Sequence, residues 1–180
     1  QLIVQDSKAE IHPIAGTFRR TGDDEKDSKA AEALAKDPKE NSEHVMLVDL
    51  ARNDLSRNGS KVEVEKNREV QFYSHVIHLV SKVTCKMKKS AKTFRVVADT
   101  FPAGTLSGAP KHKALQLIDR YETTKRNFYG GAIGYMDFHG NFNHAIIIRS
   151  FLSKNNQLHY QAGAGIVADS VPENELQEVY

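Results

Sequence analysis

The feature that most constrains the fold is a long segment with strand character at residues 61–87. Its first part, KVEVEK, alternates charged and apolar residues with a period of two, as a half-buried β-strand requires. Its second part, FYSHVIHLVSKVTC, is rich in β-branched and aromatic residues, which favour extended backbone. Within a regular strand, His75 and His78 would point to opposite faces, because their positions differ by an odd number.

Two helices are predicted before this segment. The first lies in a highly charged stretch from Thr21 to His44 and is ended by Pro38. Its narrow apolar stripe consists of Ala31, Leu34 and Ala35. The second runs from about residue 39 to residue 57, with an apolar face formed by Leu47, Leu50, Ala51 and Leu55. Gly59 follows Asn58, and we expect it to cap this helix in the left-handed conformation.

Helix, strand and turn signals continue after the central segment. KMKKSAK predicts a basic turn, and a helix is predicted after it with Ser107 as its N-cap and Pro110 in its first turn. The buried face of that helix is expected to contain Ala114, Leu117, Ile118 and Tyr121. Antiparallel strands with turns at HGN and KNNQ follow, and PENELQEVY begins a last helix. The residues themselves therefore predict a mixed α+β fold with antiparallel strands.

Composition limits the partners and the compartment of the protein. The 25 Lys and Arg residues nearly balance the 23 Asp and Glu residues, so a net charge of +2 produces no strong field for nucleic acid. Cys85 is the single cysteine and cannot form an internal disulfide, which favours a reducing compartment. No apolar run reaches membrane-spanning length, and QLIVQDSKAE does not look like a signal peptide. We expect a cytoplasmic protein without a nucleic-acid or membrane partner.

Two pairs of glutamates occur at predicted helix starts. Glu40 and Glu43 share one face of the second helix, and Glu175 and Glu178 repeat this spacing in the last helix. The structural interpretation is that acidic residues at these positions complement the positive helix terminus. The alternative is a cation site, because carboxylates that meet in one pocket repel each other unless a cation or a shared proton lies between them. Oxygen ligands without Cys or clustered His favour Mg²⁺ or Ca²⁺ over zinc.

Other polar residues allow both a structural and a functional interpretation. Thr105 lies in GTLSGAPK, which is either a capped turn or an anion-binding loop, and AGAG is either a tight strand connection or a similar loop. Arg149 ends an apolar run and pairs either with an internal acid or with a substrate carboxylate. His78 is a structural histidine or a general acid or base. Tyr129 packs in the core or donates its hydroxyl into a cleft.

Six segments closely resemble, in the same order, those of the chorismate-utilising enzymes. They are PIAGT (13–17), EHVMLVDLARND (43–54), YSHVIHLVS (73–81), AGTLSGAPK (103–111), YGGAIGY (129–135) and AGAGIVADSVPENE (162–175). Within this family the chain is most similar to the carboxyl-terminal part of the large subunit of anthranilate synthase, component I. Several motifs in the right order are far more specific than any one of them.

The resemblance has implications for the fold and for the extent of the domain. It implies an α+β fold that is part of a two-sheet, mainly antiparallel sandwich flanked by helices, with the site in a cleft between the sheets. The chain starts within a predicted strand and stops within a predicted helix that has no end signal. We therefore expect residues 1–180 to be a partial chorismate-binding catalytic domain, truncated at both ends.

The resemblance also implies a metal site and its role. Glu43 and Glu178 correspond to the carboxylates that hold Mg²⁺, which in turn binds the ring carboxylate of chorismate. Glu40 and Glu175 would be their supporting neighbours. One metal ion and one arginine can neutralise the two carboxylates of such a substrate.

The remaining site residues are also implied by the resemblance alone. Tyr129 and Arg149 would bind the enolpyruvyl carboxylate, and His78 and Thr105 match the family's active-site histidine and threonine. Further substrate-binding residues are implied at Gly16, Thr17, Gly163, Ala164 and Gly165.

The implied activity is that of the catalytic subunit of anthranilate synthase, a Mg²⁺-dependent lyase of tryptophan biosynthesis. In this family ammonia attacks the chorismate ring as the 4-hydroxyl leaves, and elimination of pyruvate then yields anthranilate. The ammonia comes from glutamine, which a partner amidotransferase subunit, component II, hydrolyses.

Several alternatives to this activity are open. Aminodeoxychorismate synthases commonly have a nucleophilic Lys at the position of Ala15, which argues against that sister activity. Isochorismate and salicylate synthases share the Mg²⁺ site but use water, and their motifs match this chain less well. GTFRRTG departs from the more usual GTRPRG, so the basic loop after Gly16 can differ from that of the family. A further alternative is an inactive fragment that only binds a ligand or a partner.

Overall fold

The computed structural model describes residues 2–168 and 170–179, without the side chain of residue 178. The strands are β1 (Leu2–Gln5), β2 (Lys8–Ile11), β3 (Ile14–Arg19), β4 (Gly59–Phe72), β5 (Val76–Met87), β6 (Ala132–Met136), β7 (Phe142–Ile146), β8 (Leu152–Lys154) and β9 (Gln157–His159). The α-helices are α1 (Asp24–Lys36), α2 (Pro38–Asn58), α3 (Thr93–Thr100), α4 (Lys111–Tyr121) and α5 (Pro172–Val179), and a 3₁₀ helix spans Gly104–Leu106.

The chain divides into two compact units. The first unit consists of Gln1–Phe101 and Tyr135–His144, and the second consists of Pro102–Gly134 and Ala145–Tyr180. None of the helices in the described part of the chain is long and apolar enough to cross a membrane.

Strand β5 lies at the centre of the sheet in the first unit. One side of β5 pairs with β3 and then with β2, while β4 pairs along its other side, and these pairs are antiparallel. The order through the sheet is β3-β5-β2-β1-β7-β6, with β4 attached to β5. Strands β8 and β9 form a separate antiparallel hairpin. The predicted α+β class with antiparallel strands is confirmed.

The core of the first unit lies where helices cover one face of β5. Ala31 and Leu34 of α1 pack against Ile77 and Leu79. A second cluster joins α2 and α3 to the other half of β5 and to β1 and β2; its buried members are Leu2, Val4, Ala9, Val48, Ala51, Leu55, Val83, Cys85 and Val96. Full burial of one aliphatic side chain contributes about 1.5–3 kcal/mol, so these two clusters hold the helices on the sheet.

The predicted helices α1 and α2 are confirmed, with two corrections. Ala35 is exposed, so the buried stripe of α1 is narrower than predicted. Gly59 has φ −123° and ψ 167°, which is extended backbone and not a left-handed cap. It begins β4 and lies against Cys85, and a Cβ atom at this position would overlap the cysteine side chain. The tight contact with Cys85 explains the glycine.

The predicted central strand segment consists of two strands joined by a turn. His75 lies in the turn between β4 and β5, so only His78 is a strand residue. The basic turn after Met87 is confirmed, and Lys88 donates from Nζ to the Arg57 carbonyl oxygen at 2.9 Å near the end of α2. The turn between β8 and β9 is confirmed as well.

Helix α4 differs from its prediction in its cap and in its exposure. Ser107 donates its hydroxyl to the Ala103 carbonyl oxygen, and Pro110 occupies the N-cap position. No residue of α4 is buried, and Leu117 and Tyr121 are exposed. An apolar stripe becomes buried only to the extent that other residues pack on it, and here Ala114 and Ile118 are half-buried while Leu117 and Tyr121 stay exposed.

Candidate functional site

A bulge between β3 and β5 organises the predicted site residues of the first unit. Ala15 pairs with Leu79 and Thr17 pairs with His78, so Gly16 is the extra residue of β3. Gly16 has φ +70°, a conformation that glycine adopts without a steric penalty. The bulge therefore directs the Gly16 carbonyl oxygen and the Thr17 side chain toward the ring of His78.

His78 makes two hydrogen-bond contacts, both through Nδ1. This atom lies 2.8 Å from the Gly16 carbonyl oxygen and 3.2 Å from the Thr17 hydroxyl oxygen. A carbonyl oxygen can only accept, so Nδ1 must bear the proton, and Nε2 of the neutral ring has an available lone pair. The ring is 5% exposed, and Tyr73 packs edge-on at a centroid distance of 5.5 Å. These contacts fix the orientation and the tautomer of His78.

The start of α2 lies beside the same bulge. Asp37 is the N-cap, and its carboxylate accepts the Glu40 backbone N–H at 3.0 Å. A Cβ atom on Gly16 would lie 3.1 Å from the Glu40 carboxylate oxygen Oε2 and 2.6 Å from Leu34 Cδ1. Any side chain at residue 16 would therefore collide with Leu34 of α1 and crowd Glu40 in the first turn of α2.

The carboxylates on α2 are suitable ligands for a hard cation. Glu43 is partly buried six residues after the N-cap Asp37 and three residues after the partly buried Glu40. Two carboxylates on one face supply the oxygen donors that Mg²⁺ prefers. The described residues include no group of three or more His, Cys, Asp or Glu side chains that could hold a metal. The predicted ligand Glu178 has its side chain outside the described residues, and the Mg²⁺ site remains a prediction.

The second unit brings Thr105, Tyr129 and Gly163 into neighbouring segments. Thr105 is exposed in the 3₁₀ helix, and the side chain of the next residue, Leu106, lies 3.4 Å from the Cβ position of Gly130. The hydroxyl of Tyr129 lies 3.4 Å from the Cβ position of Gly163. Burial raises the pKa of Tyr129, so its hydroxyl stays protonated and can donate a hydrogen bond.

Arg149 is connected to this group through the backbone. The Gly130 N–H donates to the Ile147 carbonyl oxygen at 2.9 Å, and the Ile147 N–H donates to the Gly131 carbonyl oxygen at 2.8 Å. Arg149 follows two residues later with φ +52°, a conformation that costs a residue with a side chain roughly 1–2 kcal/mol. The side chain is exposed and has no ion-pair partner within the described residues. Strain of this kind is often found at ligand-binding positions.

Of the two alternatives for AGAG, the structure shows a loop at Gly163, Ala164 and Gly165 and not a tight connection between strands. This loop has no regular secondary structure, and Gly163 does not have a left-handed φ. A turn occurs later, where the Ser170 N–H donates to the Val167 carbonyl oxygen at 3.1 Å. Glu175 is buried in the last helix, α5.

Two polar clusters were not predicted from the sequence. Arg126 joins Glu122, Leu106 and Tyr129 in the second unit, and the only sequence signal was an opposite charge four residues earlier. In the first unit, Ser81 Oγ lies 2.6 Å from His44 Nε2 and accepts the Arg68 backbone N–H at 2.9 Å.

The imidazole of His44 is fully buried, and burial lowers its pKa. His44 Nδ1 has no hydrogen-bond partner among the described residues. A neutral ring held by Ser81 is consistent with a structural role in joining α2 to β5.

The face of the sheet opposite the helices has charges that pair with one another. Lys82 lies 3.0 Å from Glu10 and 3.2 Å from Glu65, and Lys8 contacts the same two carboxylates. Lys8 and Glu65 also line a surface depression. Because Lys8 and Glu65 already pair with each other, this depression is a weaker candidate for a ligand site than the segments around His78 and Tyr129.

Comparison with known proteins identifies relatives of the whole chain. A family model described as chorismate binding enzyme matches residues 2–180. Over 177 residues the chain is 49% identical to anthranilate synthase component 1 of Bacillus subtilis strain 168. The aligned region covers 97% of this chain and 34% of that protein. The chain thus spans about a third of the length of the curated relatives it matches.

Solved structures with the same fold include enzymes named for two different activities. Anthranilate synthase component I from Streptococcus pneumoniae TIGR4 matches with a TM-score of 0.89 and 41% identity, over 99% of this chain and 39% of that chain. The menaquinone-specific isochorismate synthase from Escherichia coli matches with a TM-score of 0.89 and 26% identity, over 99% of this chain and 41% of that chain.

Proposed function

Because this chain belongs to the family of chorismate-binding enzymes, we propose that its protein is the catalytic subunit of an anthranilate synthase. The main support is the contrast between two solved structures. Both have a TM-score of 0.89, so the fold does not discriminate between the activities, whereas identity is 41% to the anthranilate synthase and 26% to the isochorismate synthase. Ala15 agrees with this choice, since it has no amine to act as a nucleophile.

The proposed reaction converts chorismate and ammonia into anthranilate, pyruvate and water. Ammonia forms the new C–N bond as the 4-hydroxyl leaves the ring. A ring proton is then removed, the bond to the enolpyruvyl oxygen breaks, and the ring becomes aromatic. In the proposed assembly the ammonia comes from glutamine through an amidotransferase partner, component II.

Mg²⁺ is the proposed cofactor, with Glu43 and Glu178 as its ligands and Glu40 and Glu175 as their neighbours. The donors described on α2 are carboxylate oxygens, which fit this hard cation. When bound, Mg²⁺ would neutralise and orient the ring carboxylate of chorismate and act there as a Lewis acid.

His78 is the proposed base for the ring proton. Its Nδ1–H group donates to the Gly16 carbonyl oxygen, so Nε2 is the nitrogen that can accept a proton. Thr105 is proposed to act beside the reacting groups through its exposed hydroxyl.

The enolpyruvyl carboxylate is the proposed ligand of Tyr129 and Arg149. A protonated phenol and an exposed guanidinium are both hydrogen-bond donors suited to a carboxylate. Gly163, Ala164 and Gly165, together with Gly16 and Thr17, are proposed to complete substrate binding.

The test uses the protein expressed from its complete gene, with chorismate, Mg²⁺ and an ammonium salt. We expect anthranilate, detected by its fluorescence and identified by chromatography, and we expect glutamine to replace ammonium only when the amidotransferase partner is added. Isochorismate, salicylate or aminodeoxychorismate as the product would replace this proposal with a sister activity.

Glu43→Gln tests the metal assignment in the same assay. We expect at least a hundredfold loss of activity, since a neutral amide is a poor ligand for Mg²⁺. Glu32→Gln is the matched control, because Glu32 is an exposed glutamate on α1. Equal activity of the two variants would refute the role of Glu43. If the wild-type protein binds chorismate but forms no product, that result would instead support a module that only binds its ligand.

A further inference from the structure

Arg126 contacts three segments of the second unit with one side chain. Its guanidinium pairs with the Glu122 carboxylate through Nε at 2.9 Å and Nη2 at 2.5 Å. Its Nη1 donates to the Leu106 carbonyl oxygen at 2.5 Å, and its Cζ atom lies 5.7 Å from the ring centroid of Tyr129. Arg126 therefore joins the end of α4, the 3₁₀ helix and the aromatic ring.

The contact with Leu106 acts directly on the loop that presents Thr105. The Leu106 N–H donates to the Ala103 carbonyl oxygen at 3.0 Å, which closes the 3₁₀ turn around Thr105. The Leu106 carbonyl oxygen points out of this turn and accepts from Arg126. Because the carbonyl group of Leu106, the residue after Thr105, is held by a charged donor, a change at Arg126 would shift the threonine.

Arg126 also controls Tyr129 through the backbone. The Tyr129 N–H donates to the Arg126 carbonyl oxygen at 2.8 Å, and Asn127 within this turn has φ +50°. The Arg126 guanidinium lies over the ring of Tyr129, so the backbone and the side chain of Arg126 both contact the same tyrosine.

The chemistry of arginine suits this arrangement better than that of lysine. A planar guanidinium can hold a carboxylate with two N–H groups and still present another N–H to a carbonyl oxygen. The pair with Glu122 fixes the plane of the group, and Arg126 lowers the pKa of the Glu122 carboxyl. A lysine would retain the charge but could not make these contacts in fixed directions.

We propose that Arg126, held by Glu122, is a positioning residue that sets Thr105 and Tyr129 for chorismate binding. This inference rests on the proposed function, because it uses the substrate roles of those two residues. Arg126 acts through its neighbours and is not itself assigned a contact with the substrate.

Arg126→Lys and Arg95→Lys form a matched pair for the kinetic test. Arg95 makes a similar i,i+4 pair with Asp99 on α3, at 3.0 Å, in the first unit. With the complete enzyme we expect Arg126→Lys to raise the KM for chorismate about tenfold while kcat changes less than about threefold, the pattern of lost ground-state binding. Arg95→Lys should leave both constants unchanged. Unchanged KM in Arg126→Lys, with an active wild-type enzyme, would overturn the inference.

A second measurement separates this inference from the proposed function. Backbone amide NMR shifts of Arg126→Lys should change at residues 103–107 and 128–131, and the urea unfolding midpoint should match that of Arg95→Lys. Shift changes confined to residues 122–127 would overturn the positioning role whether or not the enzyme makes anthranilate. A wild-type protein that makes no anthranilate, combined with shifts at 103–107, would instead refute only the proposed reaction.

Discussion

The Nδ1 atom of His78 lies 2.8 Å from the carbonyl oxygen of Gly16, a residue 62 positions earlier in the chain. This contact exists because Gly16 is the extra residue of a β-bulge, which places its carbonyl group beside the ring. The same contact determines which nitrogen of His78 can accept a proton.

The tautomer of His78 is the first prediction. At a pH where the ring is neutral, the ¹⁵N shifts should show a protonated Nδ1 and an unprotonated Nε2, because the Gly16 carbonyl oxygen can only accept. His75, which lies exposed in the turn before β5, provides an internal comparison. A protonated Nε2 at His78 would contradict the assigned base.

His78→Asn should separate structure from catalysis. The asparagine amide can still donate to the Gly16 carbonyl oxygen, so the free energy of unfolding should change by only about 1 kcal/mol. The variant has no basic nitrogen, and anthranilate formation should fall roughly 10²–10⁴-fold. Denaturant unfolding and the fluorescence assay provide the two readouts, and a fully active variant would exclude His78 as the base.

Gly16→Ala should destabilise the protein by about 2–4 kcal/mol, through left-handed strain and through collision with Leu34 of α1. The new Cβ would lie 2.6 Å from Leu34 Cδ1. Gly22→Ala is the control, since Gly22 has φ +82° with nothing within 4 Å of its Cβ position. Gly22→Ala should therefore cost only about 1–2 kcal/mol in urea unfolding. Equal losses of unfolding free energy in Gly16→Ala and Gly22→Ala would show that no collision occurs at Gly16.

Asp27 should make the stability depend on pH in acid. The Thr21 backbone N–H and the Arg20 side chain lower the pKa of this buried carboxyl from 3.8 to about 2. Because the folded-state pKa lies below the unfolded value, the stabilisation is present above about pH 4 and is lost as the pH falls through 2.

Thermal unfolding of Asp27→Asn and wild type between about pH 6 and about pH 2 tests this prediction. Glu65 titrates in the same direction, since Lys8 also lowers its pKa to about 2, so only the difference between proteins is informative. The difference in Tm between wild type and Asp27→Asn should become smaller as the pH falls. The control, Asp24→Asn, changes an exposed carboxylate, and its Tm should depend on pH as that of the wild type does. A difference in Tm between Asp27→Asn and wild type that stays constant with pH would refute the role of Asp27.

Ser81→Ala should cost about 1–3 kcal/mol, because it leaves one buried and one part-buried polar group without their partner. These groups are the Nε2 atom of His44 and the backbone N–H of Arg68. Ser60→Ala is the control, since Ser60 is exposed on β4 and makes only a long hydrogen bond of 3.4 Å. Urea unfolding measures both, and a neutral Ser81→Ala would show that water replaces the hydroxyl.

The local sequence pattern was sufficient to predict those helices and strands whose signals lie within a few residues of one another. Helical spacing predicted α1 and α2, and alternation and composition predicted the strand segment that contains His78. The motifs also predicted the family, and the family model that matches residues 2–180 confirms it. The roles of the individual site residues, the metal and the amidotransferase remain predictions.

The two cap predictions failed because contacts outside the helical pattern decide the outcome. Gly59 is extended because Cys85, on another strand, occupies the space beside it. Ser107 donates backward to Ala103 and so does not cap α4. Neither partner is recognisable from the residues adjacent in sequence.

The sequence by itself determined the type and approximate position of most elements, and the family, because periodicity and motif order are properties of neighbouring residues. Only the tertiary structure decided that Gly16 faces His78, that Asp27 meets Arg20, and that Arg126 joins Leu106 to Tyr129. These contacts depend on strand register and on how turns direct side chains, which arise from pairing between distant segments.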